Sequence, residues 1–137
     1  MYAKSKKVAS FLFTLFLFVS IMTICASASN VPSNSKWANI SSKQSYACSG
    51  RVIGTYKFFG GSNYSNSKHN LTICSRYFDA SSNSWMFDKK IKVAPNSTLN
   101  DTRTATFAQE ISWQVYLKPY GWCTSGCDGE GYIWYDM

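Results

Sequence analysis

Apolar and polar residues alternate along most of this chain after residue 45, and the alternation has the period of a β-strand. It is cleanest at 111–118. There Ile111, Trp113, Val115 and Leu117 point one way, while Ser112, Gln114, Tyr116 and Lys118 point the other. Val52, Gly54, Tyr56 and Phe58 share one face of an earlier strand, which Gly60-Gly61-Ser62-Asn63 ends. Leu71, Ile73, Ser75 and Tyr77 mark a second. Trp85, Phe87, Lys89, Ile91 and Val93 alternate with Met86, Asp88, Lys90 and Lys92 in a third, between turn material at 79–83 and Pro95-Asn96-Ser97. The Thr-rich stretch 102–107 suits an edge strand. Tyr132-Ile133-Trp134-Tyr135 closes the chain as a last strand.

No stretch carries a sustained helical period. Ala105 to Glu110 has room for one turn, which the flanking threonines disfavour. Strands at such short intervals predict an all-β fold, a small antiparallel sandwich or barrel of about six to seven strands.

The first 28 residues follow a different pattern. Lys4, Lys6 and Lys7 precede an apolar run from Phe11 to Ile24, and Ala26-Ser27-Ala28 follows it. A basic head, a short apolar middle and small residues at a cleavage point make a secretory signal peptide. A membrane-spanning helix needs about 20 apolar residues, and this run is shorter and ends in small polar residues. Lipidation at Cys25 would require small residues before it, where bulky Ile24 stands. Cleavage after Ala28 leaves a flexible Ser/Asn-rich leader at 29–45, with a short strand at Trp37–Ile40 within it, and one β domain at 46–137. The chain is expected to work outside the cytoplasm.

Removing the signal also changes the charge. The full chain has 14 basic and 7 acidic residues. The mature part keeps eleven of the basic ones and all seven acidic ones, a formal +4. Apart from Lys89-Lys90 and Lys92 the basic residues are scattered, which argues against nucleic acid as a partner.

Four cysteines stay in the mature chain, Cys48, Cys74, Cys123 and Cys127. In an exported protein that number reads as two disulfides. Thr124-Ser125-Gly126 suits a hairpin loop that would set Cys123 opposite Cys127, leaving Cys48 with Cys74 by elimination. Crossed pairings, tying the C-terminal hairpin to the body, stay open. One close pair and two distant singletons do not match a zinc site, and no cofactor motif is present.

Catalytic chemistry has little to stand on. His69 is the only histidine, no G-x-S-x-G elbow accompanies it, and oxidised cysteines would not serve as nucleophiles. Asp128 and Glu130 lie in a Gly-rich loop that reads as turn or bulge rather than a calcium site. The chain is therefore read as a non-enzyme.

Its unusual feature is 17% aromatic residues. A strand with Trp113 on one face and Tyr116 on the other cannot bury both in one core, so some rings must reach the surface. The expected binding residues are Tyr116, Tyr120, Trp122 and Trp134, which crowd the C-terminal third. The leading expectation is a secreted binding protein for an extracellular glycan or another protein. Two others compete with it: a bacteriocin-like effector making membrane contact, and a secreted hydrolase or hydrolase inhibitor.

Overall fold

The alternation at 111–118 is the spine of the fold. A computed structural model describes residues 35–134; the signal segment, the first residues of the leader and Tyr135 lie outside the described residues. Among the described residues the elements are nine strands: β1 (Ser35–Ile40), β2 (Ala47–Cys48), β3 (Val52–Gly54), β4 (Phe58–Asn63), β5 (Leu71–Asp79), β6 (Ser84–Val93), β7 (Ser97–Arg103), β8 (Ile111–Pro119) and β9 (Gly129–Trp134). They form two antiparallel sheets packed as a sandwich. One has four strands in the order β1-β9-β4-β7. The other has five, β2-β8-β5-β6 with β3 beside β8.

The fold class read from the sequence is the observed one, with more and shorter strands. The reason lies at residues 52–58, read above as one strand. Val52–Gly54 pairs with β8 in one sheet, and the chain then crosses so that Phe58 enters the other. The strand expected inside the leader is real and longer, and Ser35–Ile40 pairs with all of β9. Its inward residues Ala38 and Ile40 join the core, so leader character does not extend over residues 35–40.

The core lies between the sheets. Trp113, Val115 and Leu117 of β8 meet Leu71 and Ile73 of β5 and Val93 of β6 on one side, with Phe59 and Ile133 on the other. Trp113 is fully buried and its indole N–H donates to the Gly54 carbonyl at 2.9 Å.

Gly60-Gly61-Ser62-Asn63, expected to break a strand, instead makes up the last four residues of β4, with β9 on one side and β7 on the other. Glycine is needed there for packing. At Gly60 a side chain would strike the Tyr132 hydroxyl (2.5 Å) and the Leu99 carbonyl (2.6 Å).

β6 differs from strict alternation in one place. Ser75 pairs with Lys89 but Arg76 pairs with Phe87, so Asp88 is an extra residue, a β-bulge. Its carboxylate accepts from the Ser75 hydroxyl and the Ala105 amide. The bulge reverses the facing of everything before it. Ile91 and Val93 stay inward, while Trp85 and Phe87 turn outward beside Lys90 and Lys92.

Both expected disulfides are corrected, since all four cysteines are free thiols. Cys48 and Cys74 each pair with Tyr116, from opposite sides of β8. They are therefore two strand spacings apart, about 9.5 Å, beyond the roughly 7 Å that a disulfide tolerates. Cys123 and Cys127 lie in the 120–128 connection, which passes from one sheet to the other and is not a hairpin. The buried Cys127 thiol points to the carbonyls of His69 and Asn70, at 3.4 Å each.

These positions predict distinct reactivities. Burial pushes the Cys74 thiol up to about 11, against the opposing pull of Lys118, Lys90 and Arg76. Cys48 is exposed. Brief treatment with N-ethylmaleimide at neutral pH should modify Cys48 in the folded protein and reach Cys74 only after unfolding. Peptide mapping by mass checks this. Cys48 and Cys74 recovered as one linked, unalkylated pair would refute the register.

Candidate functional site

The outward face of the five-stranded sheet brings exposed rings and several cations onto one surface. The ladder register arranges its side chains in four ranks. Phe78 and Trp85 lie nearest the β5–β6 turn. Arg76, Phe87 and Gln114 form the next rank. Cys74, Lys90, Tyr116 and Cys48 form the third. Thr72, Lys92 and Lys118 form the last. Successive ranks are two residues apart along the strands, roughly 7 Å.

Rings and cations interleave throughout. The Arg51 guanidinium sits 5.3 Å from the Trp85 ring centre and 5.7 Å from that of Phe78. Arg76 lies between Trp85 (5.1 Å) and Tyr116 (4.7 Å). Lys90 is 4.5 Å from Phe87, and Lys92 is 5.0 Å from Tyr120. Tyr46 stacks on Tyr116 with centroids 5.7 Å apart and 13° between the planes. Phe87 meets Tyr116 edge-on at 5.5 Å. Such contacts hold long cationic side chains down on the surface at little desolvation cost.

Arg76 is fixed by a neutral group. Its Nε and Nη2 donate to Gln114 Oε1 at 3.1 and 2.9 Å, and Gln114 Nε2 donates to the Ser49 carbonyl. Burial raises the Tyr116 phenol, with Arg76 opposing, so it stays a neutral donor. Two open clefts border this face. One, of about 560 Å³, is lined by Lys43, Gln44, Tyr46 and Cys48. The other, of about 300 Å³, is lined by His69, Tyr120 and Cys123 among others.

The opposite face of the sandwich is also aromatic but of different chemistry. Trp37, Tyr132, Trp134 and Phe58 lie outward on the four-stranded sheet, with Trp37 and Tyr132 5.4 Å apart. The Tyr132 hydroxyl and the Trp134 indole both donate to Asp101 Oδ1, at 2.6 and 3.1 Å. Burial, and then Asp101, push the Tyr132 phenol far above its ordinary value. Burial, and then Glu130, raise Tyr64 to about 12. The polar groups here are satisfied by one another.

The four residues singled out in the sequence do not form one surface. Tyr116 lies in the third rank of the cationic face and Tyr120 at its rim. Trp122 stands fully exposed in the 120–128 connection. Trp134 is on the opposite face. The sequence reading missed Trp85, Phe87, Arg76 and Tyr46. No fixed-period signal marks the break: Lys89 stays on the Ile91 side, opposite the buried Ser75, and the register changes only before it, at Asp88.

Elsewhere the groups of interest have structural roles. The Asp128 carboxylate accepts from the Ser42 amide and from Asn66 Nδ2. Among the described residues, no group of three or more His, Cys, Asp and Glu side chains comes together as a metal site.

No protein-family model matches this chain, and no curated protein matches it in sequence. Solved structures similar to it in outline include a mitogen, PirA and a carbohydrate-binding module. A Yersinia pseudotuberculosis-derived mitogen is 14% identical, covering 72% of this chain and 80% of its own, with a TM-score of 0.42. PirA is 11% identical, covering 80% of this chain and 100% of its own, at 0.45. A mutant of a family 29 carbohydrate-binding module is 11% identical, covering 78% and 82%, at 0.41.

Proposed function

We propose that this is a non-catalytic binding protein, exported by its N-terminal segment, that holds an extracellular polysaccharide against the outer face of its five-stranded sheet. The observation that carries the reading is the continuous layer of rings from Trp85 and Phe78, through Tyr116, to Tyr46 and Phe87, mounted on a rigid hydrogen-bonded sheet. Tyr46, Phe87 and Tyr120 keep 57%, 41% and 48% of their surface exposed. Flat, partly exposed rings match the C–H faces of sugar rings, and neighbouring amide, hydroxyl and cationic groups can bind their oxygens.

Co-sedimentation of the mature chain with washed cell walls and insoluble polysaccharides tests this. Replacing Tyr46 and Phe87 together by alanine should weaken pelleting about tenfold, the equivalent of 1.4 kcal/mol. Trp122→Ala, which alters a ring away from the sheet face, should change it little. Undiminished pelleting by a folded double variant would place the binding surface elsewhere.

A further inference from the structure

Each of the four outward ranks carries a cation or has one seated on its rings, and none carries a carboxylate. Arg51 covers the first rank, Arg76 stands in the second, Lys90 in the third, and Lys92 with Lys118 in the fourth. Among the described residues the acidic side chains are placed elsewhere. Asp79 is held by Ser81 and Ser82 in the β5–β6 turn, and Asp88 by Ser75 and Ala105 at the bulge. Asp101 and Glu130 lie on the other sheet, Asp128 is held by Ser42 and Asn66, and Glu110 precedes β8 beyond the ranks. Of the cations in the ranks, Arg76 alone makes a side-chain hydrogen bond among the described residues, and its acceptor is the neutral Gln114.

We infer that the polysaccharide bound by this face is acidic, with its carboxylate, sulfate or phosphate groups meeting the cations rank by rank. The inference rests on the polysaccharide reading above and names the chemical class of that ligand. The ranks span three steps of roughly 7 Å, about 20 Å in all. An isolated anion would occupy one rank; only a repeating polyanion uses the whole row. Uncompensated charge of one sign over such a length raises the local concentration of a polyanion and speeds its association.

The same layer argues for a polysaccharide over a lipid surface. Six cation–ring contacts, at 4.5–5.7 Å, put charges and rings in one stratum. Membrane-seated surfaces instead send an apolar face below their charged one.

The test uses the mature chain with four probes: polygalacturonate, dextran sulfate, neutral dextran, and vesicles containing phosphatidylglycerol. Affinity is measured at about 0.05 M and about 0.5 M salt, across which the Debye length falls from more than 10 Å to a few ångströms. At least one acidic polysaccharide should bind. Its affinity should drop about tenfold or more at the higher salt, and as much again in the exposed double variant Lys90→Gln/Lys92→Gln or in Arg76→Gln. It should also slow alkylation of Cys48, in the third rank, more than alkylation of Cys123. Unchanged tryptophan fluorescence of the double variant verifies the fold.

Equal binding of neutral dextran, or salt-independent binding, would overturn the acidic assignment while leaving the polysaccharide reading standing. An acidic polysaccharide that binds without protecting Cys48 would also overturn it, by locating the ligand on another surface. Vesicle binding without polysaccharide binding, or no binding to any probe, would overturn both.

Discussion

Trp113→Ala is expected to destabilise the domain by about 3–5 kcal/mol, the range for deleting a large aromatic side chain from a packed core. The residue is fully buried. Its ring closes a three-ring cluster, with centroids 5.7 Å from Tyr77 and 5.6 Å from Phe107, themselves 4.8 Å apart. Truncation removes these contacts and leaves a cavity that two flanking rings cannot fill without abandoning their own packing. It also orphans the Gly54 carbonyl, which accepts the indole N–H at 2.9 Å where the chain leaves β3 for the other sheet. Domains of this size are stable by about 5–15 kcal/mol, so the variant should sit near the threshold of folding.

Trp113→Phe separates the two contributions. It keeps a ring against Tyr77 and Phe107 but leaves the carbonyl unpaired, at a cost of about 1–3 kcal/mol. Urea unfolding followed by far-ultraviolet circular dichroism measures both without relying on the deleted fluorophore. A loss under about 1.5 kcal/mol in the alanine variant would mean that the core does not close on Trp113.

The ease of reading Trp113 from sequence, and the difficulty of reading the outward face of the five-stranded sheet, have one physical origin. β8 is central to its sheet and free of irregularity, so period-2 alternation gives the orientation of Ile111 through Lys118 directly. β6 contains the same signal with one residue added. The bulge at Asp88 turns Trp85 and Phe87 to the outside, and no rule based on a fixed period survives an inserted residue. That single insertion brings Trp85 and Phe87 onto the ring-and-cation face.

Cysteine arithmetic failed for a different reason. It assumes that residues near in sequence or left over by elimination are near in space. Here Tyr116 stands between Cys48 and Cys74 in the sheet, and the 120–128 segment connects sheets rather than strands of one hairpin. The crossing at residues 54–58 was equally hidden, because apolar alternation looks the same on either side of a strand that changes sheets.

Gly61→Ala should be among the most damaging single-methyl additions in the molecule, and it shows why Gly60-Gly61 was misread as a break. A Cβ at Gly61 would overlap the Glu130 carbonyl oxygen and approach Gly131 Cα to 2.8 Å. Both are backbone atoms of β9, hydrogen-bonded into the middle of the four-stranded sheet, so neither can step aside without opening the β4–β9 ladder. Overpacking of this kind costs about 1–3 kcal/mol when neighbours yield, and the rigid partner puts Gly61→Ala at or above the upper end.

Gly131→Ala is the control. Its added methyl meets the Leu117 Cδ2 methyl at 2.7 Å and Val115 Cγ2 at 3.2 Å, side-chain atoms that can shift by a rotamer adjustment. It should cost less, about 1–2 kcal/mol. Urea midpoints for the two variants decide the matter. If Gly131→Ala proves equal or worse, the spacing between the sheets is the tighter constraint. If Gly61→Ala is the worse, glycine in β4 is demanded by its neighbouring strand, as the register of that ladder requires.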